Sequence, residues 1–142
     1  MKLSSSSSSL VKKVIIAAII MIALDFSFIQ FNRAFFFKQI QDVQGAPPKI
    51  KMSGAILCYI SMIFALYWFI IRKDAPILDA FILGASLNAV YEFTNYAFLI
   101  NWRPSTVIMD ILWGGILFST TTYLTNTYYD AFYDLFWFMG MV

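Results

Sequence analysis

Residues 53–71 read SGAILCYISMIFALYWFII and contain no charged side chain. At 1.5 Å per residue, a helix of this length spans roughly 28 Å, close to the hydrocarbon thickness of a bilayer. The basic pair Arg72-Lys73 follows directly, where such a helix would reach the polar interface. The stretch therefore predicts a transmembrane helix.

Three further segments are long and apolar enough to cross a membrane: Val14–Phe31, Ile77–Ile100 and Thr106–Leu124. None alternates apolar and polar side chains as the wall of a β-barrel would. The connection between the third and fourth segments is short, so these two helices are expected to form an antiparallel hairpin, and Gly114-Gly115 permits their close approach. The sequence predicts an all-α fold, a bundle of four transmembrane helices.

The composition excludes several classes of protein. Of the 142 residues, 61% are hydrophobic and 13% are charged, about half the charged share of a soluble domain. Disorder requires low hydrophobicity and high charge, and a net charge of +2 is too small for a nucleic-acid footprint. The chain has no His and one Cys, which excludes Ser-His-Asp chemistry, His-ligated zinc or haem, and an intramolecular disulfide. We expect no cofactor and no nucleic-acid partner.

The N-terminal stretch differs in character from the spanning segments. Residues 1–13 hold the run Ser4–Ser9 and the pair Lys12-Lys13, a composition typical of a flexible, solvated tail. We expect the first span to be retained rather than cleaved as a signal peptide, because Asp25 interrupts it and it shows no small-residue cleavage site. Lys and Arg residues divide five to five between the two membrane sides. The lysine pair beside the first span favours termini that face the cytoplasm.

The C-terminal stretch, residues 125–142, follows the fourth span. Thr127, Asp130 and Asp134 fall on one helical face among aromatic side chains, which predicts an amphipathic helix that lies at the membrane interface. The expected organisation is therefore a disordered basic tail over residues 1–13, a transmembrane domain over residues 14–124 and this interfacial helix.

Three of the spans carry a carboxylate at a depth where a lone charge is costly: Asp25, Glu92 and Asp110. Each isolated charge at mid-bilayer costs roughly 2.5–3.5 kcal/mol on insertion scales, so these side chains are expected to face the bundle interior. Counted from the membrane side that the first loop reaches, which we call the far side, they lie roughly 10, 12 and 9 Å inward. Because successive spans run in opposite directions, this agreement predicts that the three carboxyl groups meet at one level.

Other polar side chains share the helical faces of these carboxylates. On the third span, Asn88, Glu92 and Asn95 lie at i, i+4 and i+7, and on the fourth span Asp110 shares a face with Trp113. We therefore expect a polar pocket that opens toward the far side. The candidate ligand-binding or ion-binding residues are Asp25, Asn88, Glu92, Asn95 and Asp110, and the wall or rim residues are Tyr91, Trp113, Gly114, Arg33, Trp102 and Arg103.

Two runs of residues carry a resemblance to a known family. The third span contains Tyr91-Glu92-Phe93-Thr94-Asn95-Tyr96-Ala97, followed by Trp102, and the fourth contains Asp110-Ile111-Leu112-Trp113-Gly114. They resemble the Tyr-Asp-x-Thr-Asn-x-Ala…Trp and Asp-x-x-Trp-Gly stretches of the predicted membrane protein family called domain of unknown function 2177, and Leu24-Asp25 resembles its early Leu-Asp. The resemblance covers about residues 14–124; Glu92 stands where the family usually has Asp, and Phe28 where Trp is expected. It implies a four-span architecture with a shared polar cluster and no known activity.

Two functions fit these residues. The first is an intramembrane carboxylate-amide pocket that binds or passes a cation, a proton or a small polar solute; oxygen ligands alone would favour Na⁺, Ca²⁺, Mg²⁺ or Mn²⁺. The alternative is a structural membrane scaffold or assembly component, cellular or viral, whose polar cluster only joins helices. Two-acid catalysis by Glu92 and Asp110 would be similar to that of intramembrane aspartyl proteases, but Val107-Ile108-Met109 replaces the Gly-x-Gly element of those enzymes. The expected partners are the lipid bilayer and either a second copy of the chain or another membrane protein.

Overall fold

The computed structural model describes residues 3–138, and the side chains of residues 8–131. Within these residues the secondary structure is helical, with no strand, which confirms the all-α prediction. The elements are α1 (Leu3–Phe31), α2 (Arg33–Gln44), α3 (Met52–Phe69), a 3₁₀ turn (Ile71–Lys73), α4 (Ile77–Phe98) and α5 (Pro104–Phe138).

Four of these helical segments are long and apolar enough to cross a membrane, and each is 22 to 28 residues long. A bilayer needs about 20 apolar residues in a helix. Many large apolar side chains on these helices are exposed, as surfaces that meet acyl chains require. The segments are Ser8–Phe31, Met52–Lys73, Ile77–Phe98 and Pro104–Ala131. The prediction of a four-span bundle is confirmed.

The antiparallel pair α4–α5 forms the largest helix–helix interface. The two backbones meet at Gly84 and Gly114, where a Cβ added to Gly114 would lie 2.6 Å from the Gly84 carbonyl oxygen. Small residues allow such close approach in membrane helices. A Cβ added to Gly115 would lie 2.6 Å from the ring of Phe81. The predicted hairpin and the predicted close approach at this glycine pair are both confirmed.

An apolar core fills the half of the bundle that lies toward the connection between α3 and α4. Ala17 and Met21 of α1 pack there with Leu117 and Phe118 of α5, and all four are almost completely buried. The core is completed by Leu66, Ile70, Ile71 and Ala80. The acids of α1, α4 and α5, which are Asp25, Glu92 and Asp110, lie in the far-side half.

The structure overturns the prediction of a separate C-terminal interfacial helix. Helix α5 (Pro104–Phe138) continues unbroken through the expected boundary at residue 125 and is apolar enough to span. Its threonine-rich segment does not end the helix, because such hydroxyls bond back to the preceding turn, as Thr122 Oγ1 does to the Phe118 carbonyl oxygen at 2.8 Å. No Gly or Pro occurs between positions 116 and 138. The side chain of Asp134 and residues 139–142 lie outside the described residues.

The connection expected over residues 32–52 contains a helix that the sequence analysis did not predict. Helix α2 begins after Asn32 and has twelve residues, of which Gln39 is buried. It ends at Gly45, whose φ of 71° lies in the left-handed region and whose backbone N–H donates to the Gln41 carbonyl oxygen at 2.9 Å. Glycine adopts this conformation at no steric cost, so it is the usual residue just beyond a helix end.

At the N-terminus, α1 begins at Leu3. Residues 3–13, most of the stretch expected to be a flexible tail, are therefore helical, and Met1 and Lys2 lie outside the described residues. The Lys13 ammonium lies 4.9 Å from the centre of the Tyr129 ring, so this end of α1 contacts α5 through a cation–π interaction.

Candidate intramembrane carboxyl site

Asp25 lies where α1 meets α3 and α5, with a hydrogen-bond donor on each of its carboxyl oxygens. The Trp113 indole Nε1 donates to Oδ1 at 2.8 Å, and the Tyr59 hydroxyl donates to Oδ2 at 2.7 Å. The Trp113 ring system stacks on Phe28, with centroids 3.9 Å apart and planes 6° from parallel. Indole and phenol are neutral donors. They therefore orient the Asp25 carboxyl group without supplying a positive charge.

Glu92 on α4 is 2% exposed. The Trp102 indole Nε1 donates to its Oε2 at 2.7 Å, and its carboxyl group lies within hydrogen-bonding reach of the Asp110 carboxyl group. Trp102 is held in place by the α4–α5 turn, where Asn101 has a φ of 67°. Asparagine is one of the few residues besides glycine that adopt this conformation readily. Glu92 thus faces one neutral donor and one second acid.

Asp110 on α5 is tied to α4 by Asn88. The Asn88 Nδ2 donates to the Asp110 carbonyl oxygen at 2.8 Å and to its Oδ2 at 3.2 Å. Both residues lie about one helical turn from the meeting point of Gly84 and Gly114. A Cβ on Gly114 would lie 2.6 Å from the Asn88 Cγ. The close glycine contact therefore sets the distance across which Asn88 reaches Asp110.

The three acids together form what we call the carboxyl cluster: Asp25, Glu92 and Asp110. Asp110 is near enough to the other two for their charges to interact. Among the described side chains, no Lys or Arg forms an ion pair with the cluster. Arg103 pairs with Asp42 of α2, and the Arg33 guanidinium lies 4.7 Å from the centre of the Phe37 ring. Of the two arginines predicted at the pocket rim, Arg33 therefore lies on α2 itself and Arg103 pairs with α2, and neither pairs with the acids.

Two residues predicted on α4 take different places. Tyr91 is 58% exposed, so it lies on the outer surface rather than lining an enclosed pocket. Asn95, three residues beyond Glu92, has a buried Nδ2 with no hydrogen-bond partner among the described residues. A buried donor without a partner leaves a hydrogen bond for water or a bound molecule to accept.

Tyr59 is a site residue that the sequence analysis missed. Its signal in the sequence is depth, because it follows Met52 by seven residues and so lies roughly 10 Å from the far end of its span, the level predicted for the carboxyl groups. A buried tyrosine hydroxyl usually finds a hydrogen-bond partner. Depth counting applied to this residue would have placed it at the level of Asp25, and only the structure shows that the two side chains meet.

Helix α2 covers the far-side opening that was predicted for the pocket. Phe36 of α2 contacts Phe28 edge-on, with centroids 5.8 Å apart, and Gln39 is buried against the α4–α5 turn. Trp102, predicted at the rim, instead points into the site, where it donates to Glu92. The carboxyl cluster is therefore overlaid by a helix on its far side and by the apolar core on the other side.

The outer edge of α2 carries a second link to the same turn. Asp42 pairs with Lys38 at 3.2 Å and with Arg103. The hydrogen bond from Lys38 and, after it, the one from Arg103 hold the pKa of Asp42 below its ordinary value of 3.8. This carboxylate lies outside the membrane-spanning segments and is only partly exposed.

The described residues contain no group of three or more Cys, Asp or Glu side chains that could hold a metal ion. What they offer instead is carboxyl oxygens held by indole, phenol and amide donors. Such an arrangement can accept or release protons.

Comparisons with known proteins identify a family and nothing more specific. No curated protein and no solved structure matches the chain. The model of the family described as Predicted membrane protein (DUF2177) matches residues 10–127, a range that contains the whole carboxyl cluster. This match confirms the resemblance that the two sequence runs and Leu24-Asp25 indicate. The chain belongs to this predicted membrane protein family.

Proposed function

We propose that the carboxyl cluster binds an exchangeable proton, and that this protein binds or passes protons, or another small cation, in the membrane. One observation carries the proposal: three carboxyl groups lie inside the bundle, and their hydrogen-bond donors among the described side chains are all neutral. Burying a charge without a partner is costly in a membrane, and ionisable side chains that face a bundle interior mark ion and proton pathways.

The contact between Glu92 and Asp110 favours a proton over other small cations. A hydrogen bond between two carboxyl groups needs a proton on one of them. Either Glu92 or Asp110 can release a proton that the two acids share. Asp25 differs, because both of its oxygens already accept bonds from Trp113 and Tyr59. We therefore assign proton exchange to the Glu92–Asp110 pair.

A second candidate function is a membrane scaffold, and one feature of the site favours it. The bonds of Asp25 join α1 to α3 and α5, and the bonds of Asn88 join α4 to α5. Hydrogen bonds between membrane helices contribute about 0.6 kcal/mol each on average. In this alternative the carboxyl cluster only holds the helices together, and it exchanges nothing with either side of the membrane.

Removing ionisation from one acid at a time distinguishes the two functions. The full chain is reconstituted in liposomes that contain a pH-sensitive dye, and the lumen is monitored after acid is added outside. The variants are Glu92→Gln and Asp110→Asn, which keep hydrogen-bonding groups, and the matched control is Asp79→Asn, a change at an exposed acid in the first turn of α4. We expect wild type and the control to acidify the lumen faster than empty liposomes, and both cluster variants to lose that difference.

Infrared spectroscopy of the same samples tests whether the cluster binds a proton, even if protons cross the membrane too slowly for the dye to detect. We expect wild type and Asp79→Asn to show the carbonyl stretch of a protonated carboxyl group, and Glu92→Gln and Asp110→Asn to change its position or intensity. Wild type without this band and without acidification would contradict the proposal. If Asp110→Asn also unfolded more easily than Asp79→Asn in that case, the scaffold function would be supported.

Orientation and assembly belong to the same proposal. We propose that both termini face the cytoplasm, on the basis of the lysine pair at positions 12 and 13 beside the first span. We also propose that passage across the whole membrane requires a second copy of the chain or a partner membrane protein, because the apolar core closes the half of the bundle opposite the cluster. Protease access to a terminal tag in sealed vesicles tests the first point, and cross-linking in native membranes tests the second.

A further inference from the structure

Gln39 is the most deeply buried polar side chain of α2, with 1% of its surface exposed. All three of its hydrogen bonds reach the α4–α5 turn or the first turn of α5. Its Nε2 donates to the Asn101 carbonyl oxygen at 3.0 Å. Its Oε1 accepts from the Arg103 backbone N–H at 3.1 Å and from the Thr106 hydroxyl at 3.0 Å. One amide therefore satisfies three polar groups of another part of the chain.

The turn that Gln39 holds also carries Trp102, which is bonded to the carboxyl cluster. Trp102 lies between two residues bonded to Gln39, Asn101 and Arg103, and its indole donates to Glu92 at 2.7 Å. Because the backbone on both sides of Trp102 is fixed by one side chain, the direction of the indole depends on that side chain.

A second connection runs along α5. Thr106, whose hydroxyl donates to Gln39, precedes Asp110 by four residues and so lies directly above it on the same helical face. Gln39 is thus one helical turn from the acid that contacts Glu92. Both acids of the exchanging pair are therefore adjacent to groups that Gln39 holds.

We propose that Gln39 is a positioning residue of the carboxyl cluster, which acts through the α4–α5 turn to keep the Trp102 indole on Glu92. This inference rests on the proposed function, because it takes the cluster as the site. The Arg103–Asp42 pair supports the same docking of α2 from its outer edge. When Gln39 is removed, the turn loses three bonds, Trp102 is released from Glu92, and the far-side end of the cluster opens to water.

The NMR signals of the tryptophan indole N–H groups report directly whether Trp102 stays on Glu92. The full chain is labelled with ¹⁵N-tryptophan in nanodiscs, and its four tryptophans give separate indole N–H signals, of which Trp102→Phe identifies one. We expect Gln39→Ala to move the Trp102 signal and to leave the Trp68 signal in place, because Trp68 lies on α3. The matched control is Gln41→Ala, a change at an exposed glutamine of the same helix, which we expect to move neither signal.

A second variant keeps the test decisive if Gln39→Ala does not fold. Gln39→Met keeps most of the side-chain volume but loses all three hydrogen bonds, so we expect it to move the Trp102 signal as well. An unchanged Trp102 signal in a folded Gln39 variant, or an equal movement in Gln41→Ala, would overturn the inference.

The pH midpoint of carboxyl protonation, followed by infrared on the same samples, separates this inference from the proposed function. If wild type protonates reversibly and Gln39→Ala displaces the midpoint while Gln41→Ala does not, both stand. If wild type shows no protonated carboxyl group but Gln39→Ala still moves the Trp102 signal, the proposed function fails and the positioning role remains. If wild type protonates and Gln39→Ala leaves both the midpoint and the indole signal unchanged, the positioning role fails alone.

Discussion

A methyl group added at Gly84 tests the helix packing that brings the acids together. In Gly84→Ala the new Cβ would fall on the Gly114 carbonyl oxygen and lie 2.8 Å from the Gly114 carbonyl carbon, where real Cβ atoms do not approach within 3.0 Å. Both obstacles are backbone atoms, so α4 and α5 must separate. Overpacking costs about 1–3 kcal/mol, and the backbone obstacle places this case at the upper end. Alanine regains about 1 kcal/mol over glycine within a helix, so we expect a net loss of about 2 kcal/mol.

The matched control is Gly54→Ala on α3, where an added Cβ would meet nothing within 4 Å. This variant should be more stable than wild type by about 0.5–1 kcal/mol, because alanine has the higher helix propensity. Gly115→Ala should fall between the two, since its obstacle is the Phe81 ring, a side chain that can rotate. The assay is the free energy of unfolding in mixed micelles, followed by circular dichroism. A Gly84→Ala protein as stable as Gly54→Ala would refute the close contact of α4 with α5.

Two further predictions concern the neighbours of the site. Trp113→Phe keeps an aromatic ring but removes the donor to Asp25, and an acceptor that loses its partner inside the bundle should cost about 1–3 kcal/mol of unfolding free energy. Trp68→Phe, at an exposed position, should cost clearly less, and equal losses would contradict the assignment. The pKa of Asp42 lies below 3.8, chiefly through the hydrogen bond from Lys38, so its stabilising ion pairs should be complete at neutral pH and be lost only as the pH falls below 3.8 through that lowered pKa. Hydrogen exchange of the α2 amides against pH measures this, and opening of α2 in buffer well above that pH would count against it.

The positions of the four spans follow from the sequence because a bilayer demands long apolar runs and internal backbone hydrogen bonds. The C-terminal part of α5 is the exception. Its threonines, acids and aromatic residues predict a new amphipathic helix from residue 125. Yet Thr122 bonds back to Phe118, and Thr121 and Thr125 are buried. Thr121 and Thr125 pack in the interior although their hydroxyl oxygens have no hydrogen-bond partner among the described residues, and the helix continues without a break.

The sequence also predicted that the three acids lie at a similar level of the bundle. Counting residues from the span ends placed Asp25, Glu92 and Asp110 at one level, and the structure has Asp110 near both other acids. The partners of these acids were not readable to the same extent. Tyr59 lies at the same depth in a span without charges, and Trp102 lies in a turn that looked like a rim.

What the sequence alone determined is therefore the number of spans and the place of each polar side chain along its helix, because residue count converts directly into distance along a helix axis. Only the tertiary structure decided which face of each helix meets which neighbour. In water the apolar stripe of a helix fixes its rotation, but lipid is as apolar as a helix interface, so these helices carry little such signal. The rotation of each helix about its axis is set instead by the close packing of Gly84 against Gly114 and by the hydrogen bonds of Gln39, whose partners lie more than 60 residues away in the chain.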